Sequence, residues 1–332
     1  MKATPLVIGL FVFLCAASPQ ANALIFWNQD NSANQTDPGD GVPWDSVGRV
    51  AGTDLSLSSS SGSAIYLGAG FMLTANHVTL GASQRVTFDG VTSFSVDMTF
   101  NSGTGSKQVA SDVDLKVFKL TSFPSVTVVN LGSSSPYIAD TTLIGYGVGR
   151  GATPLETDTV AWGAKDTVAK RWGINVPLQL ANISYSGYNY TAIVSVMGSG
   201  TSSPAGVGDN EAGLSVIDSG SGMFQKISGT WYLMGVGATV SQQAGADTTT
   251  FDRDSVSGSN QGDKNYHVSV STYRDDILAI IPEPTTGWLI STAGIAIFLI
   301  GGVKRRRFLR DEPRASSLPK GQRRSGCHPA SR

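Results

Sequence analysis

Short apolar runs, separated by turns rich in glycine and serine, fill the middle of this 332-residue sequence. Residues 64–73 read as two buried strands around a glycine turn, and residues 85–100 and 112–120 alternate apolar with polar side chains. This alternation has the period of a β-strand. The 39 glycines, the abundant Ser and Thr and the scarcity of Glu and Lys favour strands and turns over helices. The sequence therefore predicts an all-β body.

The formal net charge of −1 conceals an uneven distribution of charge along the chain. Residues 304–332 carry ten Lys or Arg and two acidic residues, whereas residues 3–303 carry 13 basic and 23 acidic residues. An acidic body argues against nucleic acid as a partner. The two cysteines, Cys15 and Cys327, lie near the chain ends, so no disulfide is predicted within the body.

The first 23 residues have the layout of a signal peptide. Lys2 precedes an apolar run over residues 6–17, and residues 21–23 read A-N-A, which is an A-x-A cleavage site. Cleavage at this site would start the mature chain at Leu24, and an uncleaved membrane anchor is the alternative. We expect the body to be exported.

Residues 282–307 combine a P-E-P motif, an uncharged and largely apolar stretch of about one membrane-spanning helix, and the basic cluster K-R-R-R. This layout resembles the PEP-CTERM sorting signal of certain Gram-negative bacteria. The resemblance implies export across the inner membrane, anchoring by a C-terminal transmembrane helix, processing by an exosortase-type enzyme, and sorting to the cell surface or extracellular matrix. A plain tail anchor is the alternative. Residues 308–332 are predicted to be a basic, disordered tail.

Three separated motifs contain the side chains of a nucleophilic hydrolase. L-T-A-N-H-V ends a strand-like run at His77, D-L-K-V-F-K-L begins at Asp114, and I-D-S-G-S-G contains Ser219. A serine hydroxyl needs a base to accept its proton, and that base needs a carboxylate to orient it. The motifs and their His, Asp, Ser order resemble trypsin-like (chymotrypsin-fold) serine proteases over roughly residues 43–281.

The resemblance implies a fold of two packed, six-stranded antiparallel Greek-key barrels, with the three side chains in the cleft between them. Residues 43–130 would form the first barrel and carry the histidine and aspartate, and residues 131–281 would form the second and carry the serine. Residues 24–42 would precede them as an N-terminal arm. Residues 271–281 read as a short C-terminal helix with Ser271 or Thr272 as its N-cap.

The resemblance also implies roles for individual residues. Ser219 would be the nucleophile, His77 the general base and Asp114 the carboxylate that fixes the imidazole, with Asp112 as a rival for the last role. The backbone N–H groups of Ile217 and Ser219 would form the oxyanion hole. The family has glycine where Ile217 stands. Because a β-branched residue resists positive φ, the direction of this N–H stays open.

The substrate pocket is assigned by the same resemblance. Gly213 would lie at its base, and Gly235 and Gly237 would lie on the strand behind it. A glycine at the base would favour an apolar or uncharged substrate side chain. If the count of positions from Ser219 is off by one or two, Glu211 would instead lie in the pocket and favour a basic substrate side chain.

Asp218 has a second implied role, because its carboxylate would receive the amine of a freshly cleaved N-terminus. Leu24 is the candidate for that terminus. His267 is interpreted as structural. Neither a metal site nor a cofactor is predicted, since the body has two histidines and no cysteine and shows no nucleotide-binding motif.

These observations predict an exported serine endopeptidase that hydrolyses a protein or peptide substrate through an acyl-enzyme. The rival interpretation is a catalytically impaired pseudoprotease that acts as a cell-surface or matrix binding module, and Ile217 motivates it. A structural matrix protein is a third interpretation, which the glycine and serine content permits.

Overall fold

The computed structural model describes residues 24–26, 32–136, 139–151, 159–197, 208–241, 250–252 and 264–281. The predicted signal peptide, the sorting signal with its transmembrane helix and the basic tail lie outside these residues. Strands dominate the described residues, which confirms the prediction of a mostly β body with few helices. None of the helices in the described part of the chain is both long enough and apolar enough to cross a bilayer.

The elements up to residue 131 are β1 Ile25–Phe26, β2 Val47–Gly52, β3 Gly62–Gly68, β4 Phe71–Thr74, β5 Gln84–Thr87, β6 Ser93–Ser95, the helical turn α1 Phe100–Gly103, β7 Ser106–Gln108, β8 Lys116–Lys119 and β9 Asn130–Leu131. The elements from residue 139 onward are β10 Thr141–Gly147, β11 Thr159–Ala161, β12 Ala169–Asn175, β13 Gln179–Tyr185, β14 Tyr188–Val196, β15 Ala212–Gly213, β16 Gly222–Ile227, β17 Thr230–Ser241, β18 Thr250–Asp252, β19 Lys264–Ser269 and the helix α2 Val270–Ile280.

The first sheet has the strand order β6-β5-β2-β3-β4-β8-β7, and every neighbouring pair is antiparallel. At the ends of β6 and β8, the N–H of Asp97 donates to the carbonyl of Lys119 at 2.7 Å, and the N–H of Thr121 donates to that of Ser95 at 2.9 Å. Since β6 and β8 are separated by four strands along the path, these bonds show that the sheet curls back on itself.

The second sheet has the order β12-β10-β16-β17-β19-β14-β13, and β9 joins β17 in parallel. The described parts of the two sheets thus contain seven and eight strands, where the sequence predicted six for each half. The short strand β9 forms through pairing with a strand far along the chain, since its Asn130 pairs with Tyr232 of β17. Strand periodicity does not report such pairing, because it reflects only the residues of one segment.

One apolar core joins the two sheets. Its buried members include Leu73 and Val117 from the first sheet and Ile144, Phe224 and Leu233 from the second. Burial of apolar surface is the main favourable term in folding. The shared core therefore fixes the edge of one sheet against the other, and the loops at that boundary are held in place.

The N-terminal arm begins inside the core rather than on the surface. Leu24 and Ile25 have no exposed surface and Phe26 is 1% exposed. In β1, Ile25 pairs with Gly213 and Phe26 pairs with Ala212 of β15. The sequence shows only a short apolar run here, so the burial of this segment is a property of the tertiary structure.

The predicted C-terminal helix is present but starts one residue earlier than expected. It spans Val270–Ile280, and its N-cap is Ser269 rather than Ser271 or Thr272. The Ser269 hydroxyl accepts a hydrogen bond from the backbone N–H of Thr272 at 3.4 Å. A side-chain oxygen at the N-cap satisfies one of the free N–H groups of the first turn.

Candidate functional site

His77 lies in a tight turn that follows β4. The N–H of Val78 donates to the carbonyl of Ala75 at 3.2 Å and closes this turn. The backbone N–H of His77 donates to Oδ1 of Asp114 at 3.0 Å. Asp114 comes two residues before β8, which pairs with β4. The antiparallel pairing of these two strands brings the histidine turn and the aspartate to the same edge of the sheet.

The structure brings His77, Asp114 and Ser219 into one hydrogen-bonded chain. Nδ1 of His77 lies 2.8 Å from Oδ2 of Asp114, and Nε2 lies 2.6 Å from Oγ of Ser219. Asp114 is 1% exposed. An ionised carboxylate only accepts hydrogen bonds, so Nδ1 carries the proton and Nε2 offers its lone pair to the serine hydroxyl. This arrangement can remove a proton from Ser219.

Asp112, the rival carboxylate, makes no hydrogen bond to His77. It is an exposed residue in a left-handed backbone conformation with φ of 59°. Its carbonyl accepts the backbone N–H of Asn189 at 2.6 Å. Of the two aspartates, Asp114 is therefore the one that contacts the imidazole.

The turn that carries Ser219 is tied to both sheets. The Ser219 carbonyl accepts the N–H of Ser63 in β3 at 2.8 Å, and the N–H of Gly220 donates to the carbonyl of Gly237 in β17 at 2.7 Å. Gly220 has φ of 85°, and a side chain there would collide with the Ser63 carbonyl. Only glycine fits this position, because it accepts positive φ and leaves room for the neighbouring backbone.

Two backbone N–H groups beside Ser219 are free to bind an anion. The N–H groups of Ile217 and Ser219 donate no hydrogen bond within the described part of the chain. The carbonyl of Val216 accepts the N–H of the buried Val148 at 2.9 Å. Because a peptide carbonyl and the following N–H point in opposite directions, this bond turns the Ile217 N–H away from Val148 and the core around it.

Ile217 adopts the conformation that its side chain disfavours. Its φ is 74°, a value that favours glycine. Such a conformation costs on the order of 1–3 kcal/mol and persists only when the surrounding structure enforces it. The bond from Val148 to Val216 and the packing of the Ile217 side chain against the shared core supply that enforcement. Ile217 therefore keeps a positive φ despite its β-branched side chain.

Asp218, the residue before the serine, is buried in the body and is 1% exposed. Its Oδ2 accepts the backbone N–H of Ser215 at 2.7 Å and the Ser215 hydroxyl at 2.8 Å. Burial raises the pKa of Asp218 to about 7, against the opposing effects of Ser215, the backbone N–H of Leu24 and the guanidinium of Arg171. The carboxyl group is thus held next to the predicted start of the mature chain.

Asn34 fixes Leu24 beside Asp218. Its Nδ2 donates to the carbonyls of Leu24 at 3.3 Å and Trp172 at 2.8 Å, and its Oδ1 accepts from Nη1 of Arg171 at 3.0 Å. Arg171 has no exposed surface, and burial lowers its pKa to about 9 despite the opposing effect of Asp218. The predicted new terminus, a cation and a carboxyl group therefore share one buried polar network.

A cavity of about 430 Å³ opens beside Ser219. Besides His77, Asp114, Asp218 and Ser219, its lining residues are uncharged, namely Trp162, Tyr185, Ser186, Tyr188, Leu214, Ser215, Val216, Ile217, Ala238, Thr239 and Val240. Neither the three glycines that were predicted for the pocket nor Glu211 belongs to this lining. Leu214 and Ala238, which directly follow Gly213 and Gly237, line the cavity instead.

The three pocket glycines face other parts of the structure. A side chain at Gly235 would meet His267 and Ile193, and one at Gly237 would meet Ser221. Gly213 pairs with Ile25 in the short β1–β15 sheet. Because successive residues of a strand face opposite sides, a count from the serine motif alone cannot distinguish the pocket face of β17 from its core face.

His267 is fully buried in β19, opposite Gly237 of β17. Burial lowers its pKa to about 3, so the imidazole is neutral at physiological pH. Residues that sequence reasoning missed at the site are Ser63, Asn34 and Lys116. Each acts through a contact to a distant segment. Ser63 and Asn34 belong to none of the three motifs, and Lys116 lies within D-L-K-V-F-K-L at a position to which the motif assigns no role.

Comparisons with known proteins complete the description of the site. No protein-family model and no curated protein matches the sequence. Among solved structures, the HtrA-type protease AlgW with a decapeptide is similar at a TM-score of 0.41 and 18% identity, covering 67% of this chain and 52% of that chain. This chain thus spans about half the length of AlgW.

The inactive form of the Rv3671c protease is also similar to this chain. Its TM-score is 0.43 and its identity is 10%, and the match covers 77% of this chain and 99% of that chain. At such scores and identities, neither of the two structures identifies the function of this chain.

Proposed function

We propose that this protein is a trypsin-like serine endopeptidase with a fold of two antiparallel β-barrels. The observation that carries the proposal is the chain of contacts from Asp114 through His77 to Ser219, with 2.8 Å and 2.6 Å between the bonded atoms. The curled first sheet and the core shared with the second sheet support the two-barrel fold. The alternative is a pseudoprotease that binds without cleaving.

The mechanism is acyl transfer. His77 takes the Ser219 proton as the oxygen attacks the peptide carbonyl, and Asp114 stabilises the imidazolium that forms. The N–H groups of Ile217 and Ser219 donate to the oxyanion of the tetrahedral intermediate. His77 then protonates the leaving amine. Water repeats the sequence on the acyl-enzyme, with His77 again as base, and releases the second product.

We also propose a role for the N-terminus that signal cleavage would create. Signal cleavage after residue 23 frees the amine of Leu24, and this amine pairs with the buried carboxylate of Asp218. The Leu24 backbone N–H is close enough to lower the pKa of Asp218, and Oδ1 of Asp218 has no hydrogen-bond partner among the described residues, so both observations support this pairing. The pair stabilises the turn that carries Ser219 and the Ile217 N–H, so removal of the leader strengthens the support of the active site.

The proposed location of the protein follows from its two ends. The leader exports the body across the inner membrane of a Gram-negative bacterium. The C-terminal segment anchors it through a transmembrane helix until an exosortase-type enzyme cuts near the P-E-P motif and sorts it to the cell surface or matrix. Support for this route comes from the sequence motifs alone.

The test of the nucleophile is labelling of the purified protein with a biotinylated fluorophosphonate. We expect the wild type to be labelled and Ser219→Ala to give no signal. Ser221→Ala is the matched control: Ser221 is buried and its hydroxyl has no partner among the described residues, so the variant is expected to label like the wild type. Absence of label on a folded wild type would favour the pseudoprotease.

The cavity predicts the class of substrate. Leu214, Val216, Trp162 and Val240 line the cavity, and it offers no free charge to a side chain of the opposite sign. A charged side chain would lose its hydration without gaining a partner. We expect peptidyl-coumarin substrates that end in Leu, Val or Phe to be cleaved at least about 10²-fold faster than those that end in Arg or Glu.

A charged side chain introduced into the cavity tests whether the cavity selects the side chain of the substrate. Val216 is 40% exposed, so Val216→Asp is expected to fold, and it should raise the Arg-to-Leu ratio of kcat/KM by about tenfold or more. Val91→Asp, at a residue that is 83% exposed and outside the cavity lining, is the control. A wild type that prefers Arg would contradict the uncharged pocket.

A further inference from the structure

A buried lysine holds the turn that carries His77. Lys116 begins β8, lies two residues after Asp114 and is only 7% exposed. Its Nζ donates to the carbonyl of Asn76 at 2.8 Å and to the carbonyl of Val78 at 2.6 Å. These two residues flank His77. The ammonium group thus binds the backbone on both sides of the histidine.

The position of Lys116 is unfavourable for a charge. Residues two apart in a strand share a face, so Lys116 lies on the face of Phe118, which packs in one cluster with Ala75 and Val78. Burial lowers the pKa of Lys116 to about 8, although the Asp114 carboxylate opposes the shift. An apolar side chain of similar length would avoid this desolvation. The two hydrogen bonds to the His77 turn offset the free-energy cost of burying the ammonium group.

Asp114 and Lys116 hold His77 in place through different groups. Asp114 accepts the His77 backbone N–H and contacts the ring, while Lys116 binds the carbonyls on either side. Within the described residues, no other group donates to the carbonyl oxygens of Asn76 and Val78. The two carbonyls that flank His77 therefore depend on one ammonium group.

We propose that Lys116 is a positioning residue, which keeps the imidazole of His77 between Asp114 and Ser219 by bonding the carbonyls of Asn76 and Val78. The inference rests on the proposed function. It adds Lys116, a cation two residues after Asp114. This cation acts through the backbone of the histidine turn and does not contact the reacting atoms. Without this cation, the turn can rotate and the ring leaves the line between its two partners.

The test replaces Lys116 by Met, which has a similar length but neither charge nor donor. We expect the rate constant of fluorophosphonate inactivation at saturation to fall about 10²-fold, the cost of a displacement of roughly 1 Å in a catalytic group. The probe concentration at half saturation is expected to change less than threefold. The downfield proton resonance of the His77 Nδ1–H is expected to broaden or disappear.

Two controls separate positioning from general damage. Lys119→Met removes the other lysine of β8, which lies over the ring of Phe71, and is expected to keep the wild-type rate and proton resonance. Lys116→Gln retains a neutral donor and is expected to react at a rate between Met and wild type. It also serves as the test variant if Lys116→Met does not fold.

The outcomes distinguish this inference from the proposed function. A folded Lys116→Met with a lower melting temperature but an unchanged rate and resonance would reject the positioning role, because the lysine would then only stabilise the fold. Equal rates for the Gln and Met variants and the wild type would reject it as well. A wild type that is not labelled at Ser219 would instead overturn the proposed function.

Discussion

Replacement of Asp114 by Asn is expected to lower kcat by about 10⁴-fold while KM changes little. The carboxylate contacts Nδ1 of His77 at 2.8 Å and only accepts hydrogen bonds. An asparagine amide can present its N–H to that nitrogen and stabilise the wrong tautomer, with the proton on Nε2. The imidazole then cannot take the Ser219 proton. The measurement is steady-state hydrolysis of the best peptidyl-coumarin substrate.

The matched control for this variant is Asp112→Asn. Asp112 is exposed and two residues away in the same segment, and its structural contact is made by its backbone carbonyl. We expect its kcat to stay within about twofold of the wild type. An Asp114→Asn enzyme that keeps wild-type turnover, or a larger loss from Asp112→Asn, would contradict the assignment of the orienting carboxylate.

A chain that carries one extra alanine before Leu24 is expected to lose about 10²-fold in kcat at pH 8, compared with a chain that starts at Leu24. The extra residue converts the amine into a peptide N–H, so the ionised Asp218 carboxylate remains buried without its cation. The Asp218 turn carries the Ile217 N–H, and loss of one oxyanion donor costs about 10²–10³ in kcat. Near pH 6, where Asp218 of the longer chain binds a proton and no buried charge is left unpaired, the two rates are expected to differ less than at pH 8.

The same pair of chains should differ in the pH dependence of stability. With the peptide N–H in place, the folded-state pKa of Asp218 is raised to about 7 from a usual value near 3.8. The folded state then binds the proton more tightly, so the free energy of unfolding falls as pH rises from about 4 to 7. Between pH 5 and pH 8 this loss is about 2.5 kcal/mol.

A free Leu24 amine changes this pH dependence of the free energy of unfolding. Its positive charge favours the Asp218 carboxylate and lowers the folded-state pKa, so we expect the Leu24 chain to lose much less stability over the same pH range. Denaturant unfolding at pH 5 and pH 8 measures the difference. In an Asp218→Asn background, both chains are expected to show the same pH dependence. A destabilisation of the longer chain there that is equal at pH 5 and pH 8 would show that the extra residue acts by crowding rather than through the carboxylate.

Local sequence patterns determined the strand content and the candidate residues. Alternation with a period of two depends only on neighbouring residues, so it predicted a mostly β body. The predicted start of the C-terminal helix was wrong by one residue. The motifs singled out His77, Asp114 and Ser219, because each combines a reactive side chain with a strand end or a glycine turn. The structure brings these three side chains into contact.

Only the tertiary structure decided which groups surround them. The burial of Leu24 beside Asp218, the hydrogen bonds of Lys116 to the His77 turn and the lining of the pocket by Leu214 and Ala238 rather than by the glycines before them all depend on contacts between distant segments. The direction of the Ile217 N–H depends in the same way on Val148, 69 positions earlier in the chain. Propensity and motif spacing describe one segment at a time, whereas burial and hydrogen bonding across segments set these contacts.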